Sequence, residues 1–310
     1  FASGTSNTIN LASGSSVTAV GDVLGSGTGT LILSDSILTS GQINLKNGLS
    51  NNPMVVQLAT NVQLKTTGSS KNIVLPAVNG NYALSLEATG NIAADAIGQA
   101  TPLSSLTVVN SSGASFQGDF SVANVLLADS TNTISFSGNT SITSSLTTTA
   151  EPYSVSFGGT TVLSGAPVFL NTGNSSFSGS TNLPGGATIA GNSNSTVTLA
   201  GTLVSQGNLT IGMTGDQGQI SIADGTQLNL ASTTTTNIFA RPIAVNGSSP
   251  GTFTLLGVGT LTLAGNSSAS AAGDTINVHN GTLVVGNLGS SCTVSLTGGT
   301  ITSAFGSVGP

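Results

Sequence analysis

The 310-residue sequence predicts an all-β fold, a right-handed parallel β-helix (β-solenoid) of roughly 13 coils. Three observations lead there: short runs in which apolar and small polar residues alternate, a near absence of charge, and a Gly-Thr-Leu signature that returns at coil-like intervals.

The alternating runs are Thr8 to Leu11, Thr30 to Leu33, Val55 to Leu64, Leu103 to Val109, Thr133 to Phe136, Thr196 to Leu199, Asn208 to Ile211, Gln219 to Ile222, Thr252 to Leu255 and Thr293 to Leu296. Period-2 patterning of this kind marks half-buried strands, and helical periodicity is nearly absent. Asn246-Gly247, Asn280-Gly281 and Gly185-Gly186 fall between runs, where positive φ is cheap and corners are tight.

The signature appears at Gly201-Thr202-Leu203, Gly225-Thr226-Gln227-Leu228, Gly259-Thr260-Leu261, Gly281-Thr282-Leu283 and Gly299-Thr300-Ile301, at spacings of 24, 34, 22 and 18 residues. Most of these fit one coil, and about 23 residues per coil gives roughly 13 coils in a rod near 60 Å long. Stacking accounts for the composition. Each outward residue joins a column of like residues, and a column of like charges repels, whereas Thr and Asn hydrogen-bond along it. Charged residues are accordingly 5% of the chain, against about 25% in ordinary domains. Hydrophobic residues at 37% separate it from a disordered polar chain.

A single solenoid over residues 1–310 is expected, with irregular insertions near 75–102 and 233–250. The first contains Pro76, Glu87, the Ala-rich piece Ala93 to Ala100 and Pro102, and reads as a projecting loop or short helix. The second takes up the 34-residue spacing.

Four basic residues, Lys46, Lys65, Lys71 and Arg241, against ten acidic ones leave a net charge of −6, which excludes a phosphate-neutralising nucleic-acid surface. No apolar stretch approaches the roughly 18 residues of a spanning helix. One cysteine, Cys292, permits no internal disulfide. The chain opens on Phe1 with no visible signal peptide, so a mature product or a fragment of something longer is expected.

The segment Gly257-Val-Gly-Thr-Leu-Thr-Leu-Ala-Gly-Asn266, followed by Asp274-Thr-Ile-Asn-Val-His-Asn-Gly-Thr-Leu-Val-Val-Gly-Asn287, closely resembles the passenger-associated repeat of bacterial autotransporters, GxGTLTLxG and then TIxxGTLxVGN. Ser267 to Gly273 replaces the usual Tyr-Thr-Gly-Gly corner, so a different coil shape is expected there. Ile97-Gly-Gln-Ala-Thr-Pro-Leu-Ser-Ser-Leu-Thr-Val108 is similar to strand repeats of filamentous-haemagglutinin-type surface proteins. Phe136-Ser-Gly-Asn139 and Gly185-Gly-Ala-Thr-Ile189 are similar to short repeats of chlamydial polymorphic membrane proteins, matches too brief to add weight. The resemblance implies a secreted, extracellular protein of the bacterial cell surface, exported by type V secretion through an outer-membrane barrel outside this chain. It implies partners among host or bacterial surface receptors or matrix, or identical subunits in a filament.

Catalytic chemistry finds few candidates. Strand parity sets His279 opposite Ile276 and Val278 and so in solvent, and sets Cys292 with Val294 and Leu296 and so in the core, which rules against a dyad. Asp95 with Asp119 and Asp129 with Glu151 have coil-like spacings of 24 and 22 residues, a pattern that suits glycoside hydrolysis on an exposed face. The absence of Trp, with only Tyr82 and Tyr153, makes the aromatic platforms that usually seat sugars scarce, so these carboxylates read as solvated turn residues. Thr214-Gly-Asp-Gln-Gly-Gln219 is an acidic turn without the glycine-aspartate nonapeptide of calcium-bound β-rolls. Sequons at Asn139, Asn174 and Asn208 are those that composition alone supplies. The expectation is therefore a non-enzymatic adhesive rod with no catalytic residue, cofactor or metal. A self-assembling filament or sheath subunit is the alternative, and a polysaccharide-cleaving β-helix stands outside both.

Overall fold

The strands of the described residues pair in parallel, each with a partner about one winding of the chain away. The computed structural model describes residues 2–11, 14, 16–46, 54–190, 194–212, 218–241, 243–245, 251–267, 274–288 and 293–303. No helix occurs among them. The fold is a parallel β-solenoid, and the chain divides into two compact units, Phe1–Tyr153 and Ser154–Pro310.

In the first unit three strand faces recur in fixed order. The first face stacks Ala2–Leu11, Ser26–Leu33, Val55–Leu58 and Ala77–Asn79, and continues through the single bridge residue Ile97 to Phe120. The second stacks Val17–Ala19, Ile37–Thr39, Val62–Thr66, Ala83–Glu87 and Leu103–Asn110. The long strands Phe120–Leu127 and Thr140–Thr148 begin on the first face and end on the second. The third face stacks Val23–Leu24, Ile43–Asn44, Ile73–Leu75, Asn91–Ala94, Gly113–Phe116 and Ile134–Phe136.

The second unit repeats the plan. Its first face runs from Thr161–Leu163 through Thr181–Leu183, Thr202–Ser205, Thr226–Leu230, Thr252–Gly257 and Thr275–Val278 to Thr293–Leu296. Its second face runs from Val168–Phe169 through Ala187–Ile189, Leu209–Ile211, Thr236–Phe239, Thr260–Ser267 and Thr282–Leu288 to Thr300–Ser303. Its third face holds Val155–Phe157, Ser175–Phe177, Thr196–Leu199, Gln219–Ile222 and Ile243–Val245. The third faces carry six and five rungs among the described residues, about eleven turns complete with all three faces against the expected thirteen coils. Coil length is not uniform. Ile43 to Ile73 is a step of 30 residues, and Ile73 to Ile92 a step of 19.

Alternation explains which residues face in. Ile43, Ile73, Ile92, Ala114 and Ile134 are register partners in successive coils and all are buried. Each such Ile or Leu taken from water contributes about 1.5 to 3 kcal/mol, and its β-branched or apolar neighbours suit the pleat. Where rings enter, they stack in the same columns. Phe116 and Phe136 lie face to face at 5.1 Å with Phe120 edge-on to both. In the second unit Phe157 and Phe177 stack at 5.4 Å with Phe169 edge-on. These stacked phenylalanines share a Phe-x-Gly motif, at 116–118, 136–138, 157–159 and 177–179. The glycine turns a corner so close to the coil before it that a Cβ on Gly138 would stand 2.4 Å from the Gly118 carbonyl oxygen.

Two expectations need correction. Residues 75–102 form no projecting loop or helix: Ala77–Asn79, Ala83–Glu87, Asn91–Ala94 and the Ile97 bridge are regular rungs. Pro76 and Pro102 sit between strands, where no ladder donor is needed, and Ala94 is a small inward residue between Leu75 and Phe116. Likewise Thr236–Phe239 and Ile243–Val245 are rungs, while 246–250 lie outside the described residues. The 34-residue spacing has a different origin. Gly225-Thr226 opens a first-face strand and Gly259-Thr260 a second-face strand, so the interval is one coil plus one face.

Among the described residues Arg241 is the largest fully buried side chain. Its Nη1 donates to the Ser195 carbonyl at 3.0 Å and its Nη2 to the Ala190 carbonyl at 3.2 Å. Gly212 and Gly218 make room for it, since a Cβ on either would lie 2.5 Å and 2.8 Å from its side chain. Arg241→Ala would take the Arg241 donor from the Ala190 carbonyl and one of two donors from the Ser195 carbonyl, which also accepts from Gln219 N–H, and would open a cavity, a loss of about 3 to 5 kcal/mol expected in urea unfolding.

Candidate functional site

Acceptor side chains at the corners tie one coil to the next. Asp22 Oδ1 accepts from the backbone N–H of Gln42, Asn72 from Asn91, Asn61 from Ala83 and Asp119 from Asn139, at 2.8 to 3.2 Å. In the second unit Asn174 accepts from Thr196, Asn208 from Thr236 and Asp224 from Thr252, each at 2.8 Å. A corner breaks the strand ladder and would leave its N–H groups unpaired; a short Asp or Asn reaches them from the neighbouring coil.

That device engages Asp119 among the candidate carboxylates, and ion pairs or other caps engage several further acids. Asp95 pairs with Lys46 Nζ at 2.6 Å, across two coil steps, and Asp119 also accepts from Asn139 Nδ2 at 3.2 Å. Asp95 and Asp119 do stand in adjacent coils at the same corner, where Gly118 N–H donates to the Asp95 carbonyl. Each carboxylate nevertheless has its own partner. Glu87 pairs with Lys65, its register neighbour, at 2.7 Å. Asp35 caps the N–H of Ser36, and the buried Asp274 accepts from Gly251 N–H at 3.1 Å.

Asp129 and Glu151 follow the paired strands Phe120–Leu127 and Thr140–Thr148. Asp129 is half-buried and Glu151 exposed. Tyr153, two residues beyond Glu151, is fully buried, donates to the Leu127 carbonyl and accepts from Thr149 N–H at 3.1 Å. Burial, with a smaller contribution from the Asp129 charge, pushes its phenol above the ordinary 10.0, while hydrogen bonds with Thr149 and Thr148 act in the opposite sense.

His279 is exposed, next to buried Val278, as strand parity requires. Cys292 and the Thr214 to Gln217 part of the acidic turn lie outside the described residues. No group of three His, Cys, Asp or Glu capable of holding a metal occurs among the described residues. The sequon residues Asn139, Asn174 and Asn208 are exposed corner residues, and all three side chains take part in the inter-coil bonds given above.

An open groove of about 410 Å³ runs over the third face of the first unit. Ala93, Ser115 and Ser135 form its outward rank, and Asn91, Asn132 and Thr133 flank it. Its depth comes from small side chains. The groove offers hydroxyls and amides but no titratable group, so it can hydrogen-bond a neutral polar ligand and cannot transfer a proton. Sequence reading missed both this groove and the corner ladder. The signal for the ladder was present as Asp or Asn at the ends of strand runs, about a coil apart.

Comparison of the chain with protein-family models, curated proteins and solved structures finds no match.

Asp119→Asn is expected to keep the cap on Asn139, whereas Asp119→Ala should cost about 1 kcal/mol in urea unfolding. Tyr153 gives a pH signature. The unfolded phenol loses its proton near 10.0 while the folded one retains it, so its contribution is complete below that pH and falls as pH rises through the higher folded value. Tyr153→Phe should start about 1 to 2 kcal/mol less stable at neutral pH and show a shallower alkaline decline than the unsubstituted chain.

Proposed function

We propose that the chain is a surface-exposed segment of a secreted bacterial protein of the autotransporter passenger kind, with a mechanical and adhesive role. The observation that carries this reading is the passenger-like repeat at 257–287, set in a parallel β-solenoid. Its Thr-Leu-Thr-Leu and Thr-Leu-Val-Val halves are register partners one coil apart, with Leu261 opposite Leu283 and Leu263 opposite Val285. A solenoid of this kind holds its corners away from a cell surface, where they meet host cells, other bacteria or matrix. Residues 268–273, where the resemblance implies an altered corner, lie outside the described residues.

The partners implied are surface receptors or matrix components, and the setting is extracellular. No cofactor enters this role. A non-enzymatic role is supported by the structural engagement of Asp95 and Asp119. The second reading, a self-assembling filament or sheath, is favoured by the scarcity of surface charge, which does little to keep neighbouring copies apart.

The test is attachment of the purified, fluorescently labelled chain to host and bacterial cells, together with assay of a polysaccharide panel for new reducing ends. Saturable attachment is expected, unchanged when Asp95, Asp119, Asp129 and Glu151 are each replaced by Ala, with no reducing ends released. Glycan cleavage that disappears on any of those substitutions would overturn the proposal in favour of an enzyme.

A further inference from the structure

The second unit is almost bare of exposed charge. Its charged residues are Asp216, Asp224, Arg241 and Asp274. Arg241 and Asp274 are fully buried, Asp224 caps Thr252 N–H at a corner, and Asp216 lies outside the described residues. On this background the second face presents a regular grid. One outward rank is Thr236, Thr260, Thr282 and Thr300; the next is Ile238, Thr262, Val284 and Thr302, and every member is exposed or half-exposed. Rungs repeat about every 4.8 Å and the ranks lie about 6.6 Å apart. All eight side chains are β-branched, of similar size and restricted at χ1, so little rotamer freedom remains to be lost on contact.

We propose that this face binds the same face of a second copy of the chain, sheet against sheet. Ridges of β-branched side chains interdigitate closely only with ridges of the same period, and a second copy supplies that period with side chains of matching size. No charge must be desolvated, and no like charges oppose one another. Two other faces fit such pairing less well. The second face of the first unit carries Lys65 and Glu87, and the first face of the second unit carries Asn182, Gln227, Asn229 and Asn277, whose amides need partners when dried. The inference goes beyond the adhesive reading and holds whether or not the chain engages a receptor.

Sedimentation velocity of the purified full chain over a range of concentration, at low and high salt, tests it. The expected result is a monomer–dimer equilibrium that salt leaves nearly unchanged, because no exposed ion pair forms the contact. Thr262→Lys with Val284→Lys should weaken dimerisation at least about tenfold through facing like charges. Thr262→Val should preserve dimerisation, and Thr198→Lys, on the third face, should leave it intact. Circular dichroism of each variant separates loss of pairing from loss of fold. A monomer at every concentration, a dimer that the double lysine variant retains, or one that high salt dissolves would each overturn the proposal. Cell attachment plays no part in this readout, so failure here leaves the adhesive reading to its own experiment.

Discussion

The rest of the structure depends on one constraint: each residue stacks, at the strand spacing, on the residue in the same position of the next coil. Whatever stands at a position must therefore tolerate something similar directly above and below it. Isoleucine satisfies this in the column from Ile43 to Ile134, and phenylalanine does so at Phe116 with Phe136 and at Phe157 with Phe177. A carboxylate column does not. Acids stand at corners, where an oxygen accepts a backbone N–H, or opposite a lysine, as Glu87 stands opposite Lys65; Asp95 and Asp119, in adjacent coils at one corner, each turn to a partner of their own.

The same rule separates structural from chemical use of polar groups. In an enzyme of this architecture, paired carboxylates would face a common ligand. Asp95 and Asp119 share a corner but turn to Lys46 and Asn139. Their coil-like spacing is a consequence of stacking, since any two corner residues recur at about one coil. Spacing therefore carries little information about catalysis in a repeat protein, whereas the partner of each oxygen carries a good deal.

The fold class was legible because alternation and glycine corners are local signals. Strand boundaries at Thr196–Leu199, Gln219–Ile222 and Thr293–Leu296 follow directly from that pattern. Assignment of strands to faces was not legible, because Gly-Thr opens strands on more than one face; the interval between Gly225 and Gly259 looked like an insertion for that reason. Residues 75–102 misled through alanine, whose helical preference is weak beside the demand for a small inward side chain at Ala94. The groove over Ala93, Ser115 and Ser135 was hidden because its shape depends on which residues become neighbours in register. The buried position of Arg241 had no local signal at all.

The unequal coil steps have a consequence for how such a molecule can be altered. Thirty residues between Ile43 and Ile73 and nineteen between Ile73 and Ile92 end in the same register, so the faces are indifferent to how much chain a corner contains. Closing a longer flexible loop costs only about 0.6 kcal/mol per doubling of its length. Corners are thus natural graft points: a foreign recognition loop spliced into one would be displayed at a fixed height on the scaffold, set by the coil that carries it, without disturbing the ladder on either side.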